Sequence, residues 1–88
     1  MRIVDGFEIV HIAEEHLVVP VGVKAEQNNG VTVLNEAAAF LLEEMKTDKS
    51  VDDLVLLLLS HYNVDEETAR ADVKNMVESL INLGIITH

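Results

Sequence analysis

Between Leu34 and Ile85 three amphipathic helical patterns follow one another with almost no residues to spare, opened by Leu34-Asn35-Glu36 and closed by Leu83-Gly84-Ile85-Ile86. A period of 3.6 sustained in three short blocks forces a compact helical layer, because each block has only one apolar stripe to bury. Asn35 is placed as an N-cap with Glu36 in the first turn, and the first helix runs to about Met45 with Ala37, Phe40 and Leu41 on one stripe. Ser50, with Asp53 three residues on, is a capping-box variant that opens a second helix over about 51–61. Its run Leu54 to Leu59 is apolar nearly all round, which predicts the most enclosed helix of the three. Asp65 begins the third and longest helix, which ends near Leu83. Ala69, Val73, Met76 and Leu80 form its central stripe, and Val77 and Ile81 widen the stripe on one flank. Gly84 is the expected C′ residue.

The residues before Leu34 read differently. Phe7 to Ile12 alternates loosely and His16 to Val23 is rich in Val, with Pro20 and Gly22 marking a kink or an edge, so the two runs should pair as a hairpin. Asn28-Asn29-Gly30 is the strongest turn signal and predicts a third strand over Val31, Thr32, Val33 and Leu34. Three strands followed by three helices give an α+β, winged-helix-like domain: a three-stranded antiparallel β segment followed by a three-helix bundle. At 88 residues a single domain over 1–88 is expected, with little room for an enclosed active site.

Charge narrows the partners. Sixteen acidic against six basic residues give a formal charge of −10, a field that repels phosphate backbones and anionic lipid heads. Neither nucleic acid nor membrane is an expected partner. The third helix offers Arg70, Lys74 and Asn75 among the acids Glu66, Glu67, Asp72 and Glu78, so the DNA-binding use of a winged helix runs against counterion release. No apolar run approaches the ~20 residues that cross a bilayer, and the N-terminus meets a charge too early for a signal peptide. A cytoplasmic protein is the expectation.

Catalytic constellations are hard to assemble from this composition. There is no Cys, and His11, His16, His61 and His88 show no i, i+4 pairing, so no metal site is expected. Asp48, Asp52, Asp53, Asp65, Glu66, Glu67 and Asp72 fit no calcium loop and are better read as caps and solvated faces. Ser50 stands where an acyl carrier would bear its phosphopantetheine arm, yet Asp48-Lys49-Ser50-Val51 lacks the Asp-Ser-Leu triplet and a hairpin precedes the helices. The expectation is a binding module with no catalytic residue and no cofactor.

Leu34-Asn35-Glu36, Ala39-Phe40-Leu41-Leu42, Ser50-Val51-Asp52-Asp53-Leu54, Tyr62-Asn63-Val64-Asp65 and Leu83-Gly84-Ile85, in this order and spacing, resemble the PqqD-like family over about residues 7–86. The resemblance implies a RiPP recognition element, a module that binds the leader of a ribosomally made precursor peptide and presents it to a modifying enzyme. In that family the leader adds as a strand to the edge of the third strand and lies against the third helix. The matching peptide-binding positions here are Val31, Thr32, Val33 and Leu34, with Lys74, Val77 and Ile81 on the helix. β-Augmentation suits an edge strand, whose unpaired N–H and C=O groups a peptide can satisfy. The implied partner enzyme is a radical S-adenosylmethionine enzyme or a leader peptidase. A neutral or basic leader suits the acidic chain better than an acidic one. Val21 to Asn28 is longer than the usual link between the second and third strands, and that hairpin is expected to be extended, irregular or rearranged. The same edge can also pair with a second copy, giving a homodimer. The alternative reading is a structural or DNA-binding regulatory winged-helix module.

Overall fold

The computed structural model describes residues 1–27 and 30–87. Its elements are β1 (Arg2–Ile3), β2 (Phe7–Ile12), β3 (Glu15–Pro20), α1 (Val23–Gln27), β4 (Thr32–Leu34), α2 (Glu36–Glu44), α3 (Val51–His61), α4 (Glu66–Asn82) and β5 (Ile86–Thr87). The α+β, winged-helix-like expectation holds: an antiparallel sheet in the order β2-β3-β4 packs against the helices that follow it.

In the β2–β3 hairpin Ile12 pairs with Glu15, so Ala13 and Glu14 form a two-residue turn. Ala13 takes φ 54°, the left-handed conformation such turns demand, without the Asn or Gly that normally supplies it. Directly paired residues share a face. Ile9, Val18 and Thr32 therefore look toward the helices, with Val18 buried, while Val10, Leu17 and Val33 look outward. β3 ends at Pro20, and the segment expected to continue it through Val23 turns into α1 instead. Gly22 at φ 59° reverses the chain and Ala25 N–H closes the turn on the Gly22 carbonyl. The link between β3 and β4 is thus longer than a tight turn. The Asn28-Asn29 part of the expected turn signal lies outside the described residues.

All three expected caps form. Asn35 Oδ1 accepts from Ala38 N–H at 2.8 Å. Ser50 and Asp53 form the reciprocal capping box at 3.0 and 2.9 Å. Asp65 Oδ1 accepts from Thr68 N–H at 2.7 Å, and this bond holds the Asp65 carboxyl below the usual carboxylate range. α4 ends in a Schellman motif. Ile85 N–H bonds to the Leu80 carbonyl and Gly84 N–H to that of Ile81, with Gly84 at φ 75°.

The core joins the layers through Val18, Leu41, Leu42, Met45, Leu54, Val55, Leu58, Ala69, Val73, Val77, Leu80, Ile85 and Ile86. Two expectations need correction. α3 is not enclosed all round: Leu54, Val55 and Leu58 are buried, but Leu56 stands 66% exposed on the opposite side. Val77 belongs to the central stripe of α4, and Met76, half-buried, takes the flank instead. The sequence also concealed a second sheet. β1 and β5 pair antiparallel, Ile3 N–H bonds to the Met45 carbonyl and Val4 N–H to that of Ile85, so the two ends of the chain clamp the end of α2.

Candidate functional site: the groove between β4 and α4

β4 is the last strand in its sheet, with β3 on one side and, among the described residues, no strand on the other. It is short because Gly30 precedes it and the Asn35 cap starts α2 at once. Its alternation puts Thr32 and Leu34 half-buried and leaves Val33 64% exposed, with Val31 just ahead of the strand also exposed.

Beside this edge runs a cavity of about 490 Å³. One wall is Val33, Leu34 and Asn35; the floor is Ala37, Ala38 and Leu41 of α2, with Leu58, Tyr62 and Val64 from the end of α3 and the turn after it. The far wall is α4, through Asp72, Val73, Asn75, Met76 and Ser79. Positions 72, 75, 76 and 79 follow i, i+3, i+4, i+7, one face of the helix. Small residues at 37 and 38 matter here, since larger side chains on α2 would fill the space.

Of the residues expected at the site, Val33 and Leu34 line the cavity and Val31 and Thr32 sit next to them along the chain. Lys74, Val77 and Ile81 do not line it. Val77 is in the core, Ile81 packs against the core, and Lys74 is exposed. At about 100° per residue, position 74 lies roughly 160° around the helix from 76. The helix face toward β4 is therefore the Asp72–Met76 side. The sequence carried one signal for it: a row of polar residues interrupted by a lone Met, which reads as an ordinary flank until β4 is placed beside it.

The chemistry of this groove is that of contact. Its floor is apolar, its α4 rim is polar, and no pair of acidic or basic groups converges in it. Among the described residues no group of three His, Cys, Asp or Glu could hold a metal ion. A second cavity of about 370 Å³ collects His11, His16, Phe40, Glu43, His61 and Tyr62. There His11 Nδ1 lies 2.7 Å from His16 Nδ1, and His11 Nε2 lies 3.5 Å from Glu43 Oε1. The two contacts of His11 leave from opposite sides of its ring, so they orient the imidazole and do not converge on one point. No described helix is long and apolar enough to cross a membrane.

Fold and groove together define a winged-helix-like α+β domain with an open sheet edge facing its last helix. The chain belongs to the PqqD family: the model for coenzyme PQQ synthesis protein D matches residues 9–86. Comparison with curated proteins gives no match. Two solved structures share the fold. TbiB1, determined in complex with the TbiA(beta) leader peptide, superposes with a TM-score of 0.76 at 19% identity, covering 97% of this chain and 93% of that one. Lasso peptide synthetase B1, complexed with the leader peptide, gives a TM-score of 0.76 at 20% identity, covering 99% of this chain and 96% of that one.

Proposed function

We propose that this chain is a RiPP recognition element. It binds the leader of a ribosomally made precursor peptide as an added strand on β4, with leader side chains seated in the β4–α4 groove, and presents the peptide to a modifying enzyme. The observation that carries this reading is the coincidence of a strand edge with no partner strand among the described residues, Thr32–Leu34, with an apolar cavity lined by two of the same residues, Val33 and Leu34. Main-chain pairing supplies affinity without reading sequence, and the cavity supplies selection among side chains. Family membership supports it, as does the fact that both structural relatives were solved with a leader peptide. The partner enzyme is proposed to be a radical S-adenosylmethionine enzyme or a leader peptidase. Nothing in the comparisons favours the DNA-binding alternative, and the charge of −10 opposes it.

The test is titration of isotope-labelled domain with the leader segment of a candidate precursor peptide. Amide shifts confined to β4, the start of α2 and the Asp72–Ser79 face of α4 are expected. Shifts scattered elsewhere, or none at high leader concentration, would refute the reading.

A further inference from the structure

We propose that Asp72 sets the charge of the segment that occupies the groove: the occupant carries a Lys or Arg whose cation seats against the Asp72 carboxylate, with an apolar side chain two residues away lying over Met76. This rests on the groove being a peptide site.

Among the fourteen described residues that line the cavity, Asp72 is the only one charged at neutral pH. It is exposed, and among the described residues it takes part in no ion pair, unlike its helix neighbours Glu66 and Arg70, which are paired with each other and, for Arg70, with Asp52 at 2.7 Å. Among the described residues no basic side chain lines the groove. The carboxylate is therefore an unneutralised charge at the mouth of an apolar trough. A peptide laid along β4 excludes water from the trough, which strengthens attraction to a cation and repulsion of an anion relative to an open surface.

The spacing fits an extended occupant. From Asp72 to Met76 the helix rises about 6 Å, and residues i and i+2 of a strand, which share a face, are about 6.6 Å apart. A cation at one position and an apolar anchor two residues on can thus face Asp72 and Met76 together. Asn75 and Ser79 continue the polar rim and tolerate uncharged polar side chains further along.

The probe is a set of fluorescein-labelled peptides of about twelve residues, alternating Thr and Leu to favour an added strand, with one central Leu replaced by Lys, Gln or Glu. Binding is read by anisotropy at low salt, with amide shifts on β4 recorded for each peptide. The proteins are the unmodified chain, Asp72→Lys, Asp72→Asn and Glu78→Lys. Glu78 is an exposed acid of α4 outside the cavity, so Glu78→Lys changes net charge equally without touching the groove. The Lys peptide should bind about tenfold tighter than the Glu peptide to the unmodified chain and to Glu78→Lys. Asp72→Asn should abolish that preference and Asp72→Lys should reverse it. Equal effects of Asp72→Lys and Glu78→Lys, or no preference in the unmodified chain, would overturn the proposal while leaving the groove intact. Failure of every peptide to shift β4 amides would instead sink the groove reading and this inference with it.

Discussion

Truncation of neighbouring residues on α4 separates the groove from the core. Met76 is half-buried against the core on one side and open to the cavity on the other, whereas Val77, one residue on, is 8% exposed and wholly within the core. Fully burying a Met side chain is worth about 1.5–3 kcal/mol. Since no more than about a third of Met76 remains exposed in the free chain, a bound leader can gain at most about 1 kcal/mol from the rest. Met76→Ala should therefore weaken leader binding by up to about fivefold while costing about 1–2 kcal/mol of stability. Val77→Ala removes two buried methyl groups and leaves a void, about 2 kcal/mol, or about 10 °C in melting midpoint, with leader affinity of the folded protein unchanged. Leader anisotropy and thermal unfolding by circular dichroism measure the two quantities on each variant. The reasoning is refuted if Met76→Ala leaves affinity unaltered while Lys74→Ala or Ile81→Ala, on the other flank, weakens it.

Ser50→Ala removes half of a reciprocal capping box and should cost about 1 kcal/mol in urea unfolding without affecting peptide binding. Acid should destabilise the chain through its aspartates: Asp65, Asp53 and Asp48 are held below their ordinary 3.8, the first two chiefly by backbone N–H donors and Asp48 by the N-terminal ammonium. A lowered folded-state value means that the stabilisation is complete above 3.8 and is lost as pH falls through the folded-state values. Urea midpoints should accordingly fall below about pH 4, and fall less in Asp65→Asn, which keeps an acceptor but cannot titrate; identical pH profiles would contradict this. Gly6→Ala should lower the melting midpoint by several degrees, because Gly6 sits at φ 97° and a Cβ there would clash with Lys24 Cγ. Raising salt from low to about 1 M should narrow the discrimination between basic and acidic peptides, since the screening length shrinks to about 3 Å.

The helical two thirds of the chain were legible because each signal was local. Asn35, Ser50 with Asp53, and Asp65 announce their caps within three residues, and Gly84 announces its Schellman close in the same way. The β2–β3 pairing was legible from composition, but its turn was not: Ala13 holds φ 54° because six cross-strand pairs hold the register, not because the residue prefers it. β1 and β5 were invisible because two-residue strands have no period, and they exist only through long-range bonds to Met45 and to each other. The helix positions expected beside the third strand, Lys74, Val77 and Ile81, do not line the cavity, and the difference traces to one residue of the core stripe. A stripe of Ala69, Val73, Met76 and Leu80 and a stripe of Ala69, Val73, Val77 and Leu80 differ by about 100° at a single position, and only the placement of the sheet decides which residue meets the core.

The edge that makes β4 useful also makes it hazardous. An exposed strand with Val31 and Val33 outward is a template for any chain, including a second copy of this one, and β4 has none of the usual guards: no Lys, no Pro, no covering loop among the described residues. What stands in their place is charge at longer range. Pairing two copies edge to edge would bring together two chains of formal charge −10 and, along α4, two sets of Glu66, Glu67, Asp72 and Glu78. A short peptide brings no such field, and one bearing a Lys or Arg brings its opposite. On the proposed reading, the acidity that argues against nucleic acid and lipid would have a second effect at this edge: it would penalise self-pairing while leaving peptide pairing free. The exposed apolar edge can then persist, because on the same reading selectivity would reside in the surface around the strand and not in the strand's own three residues.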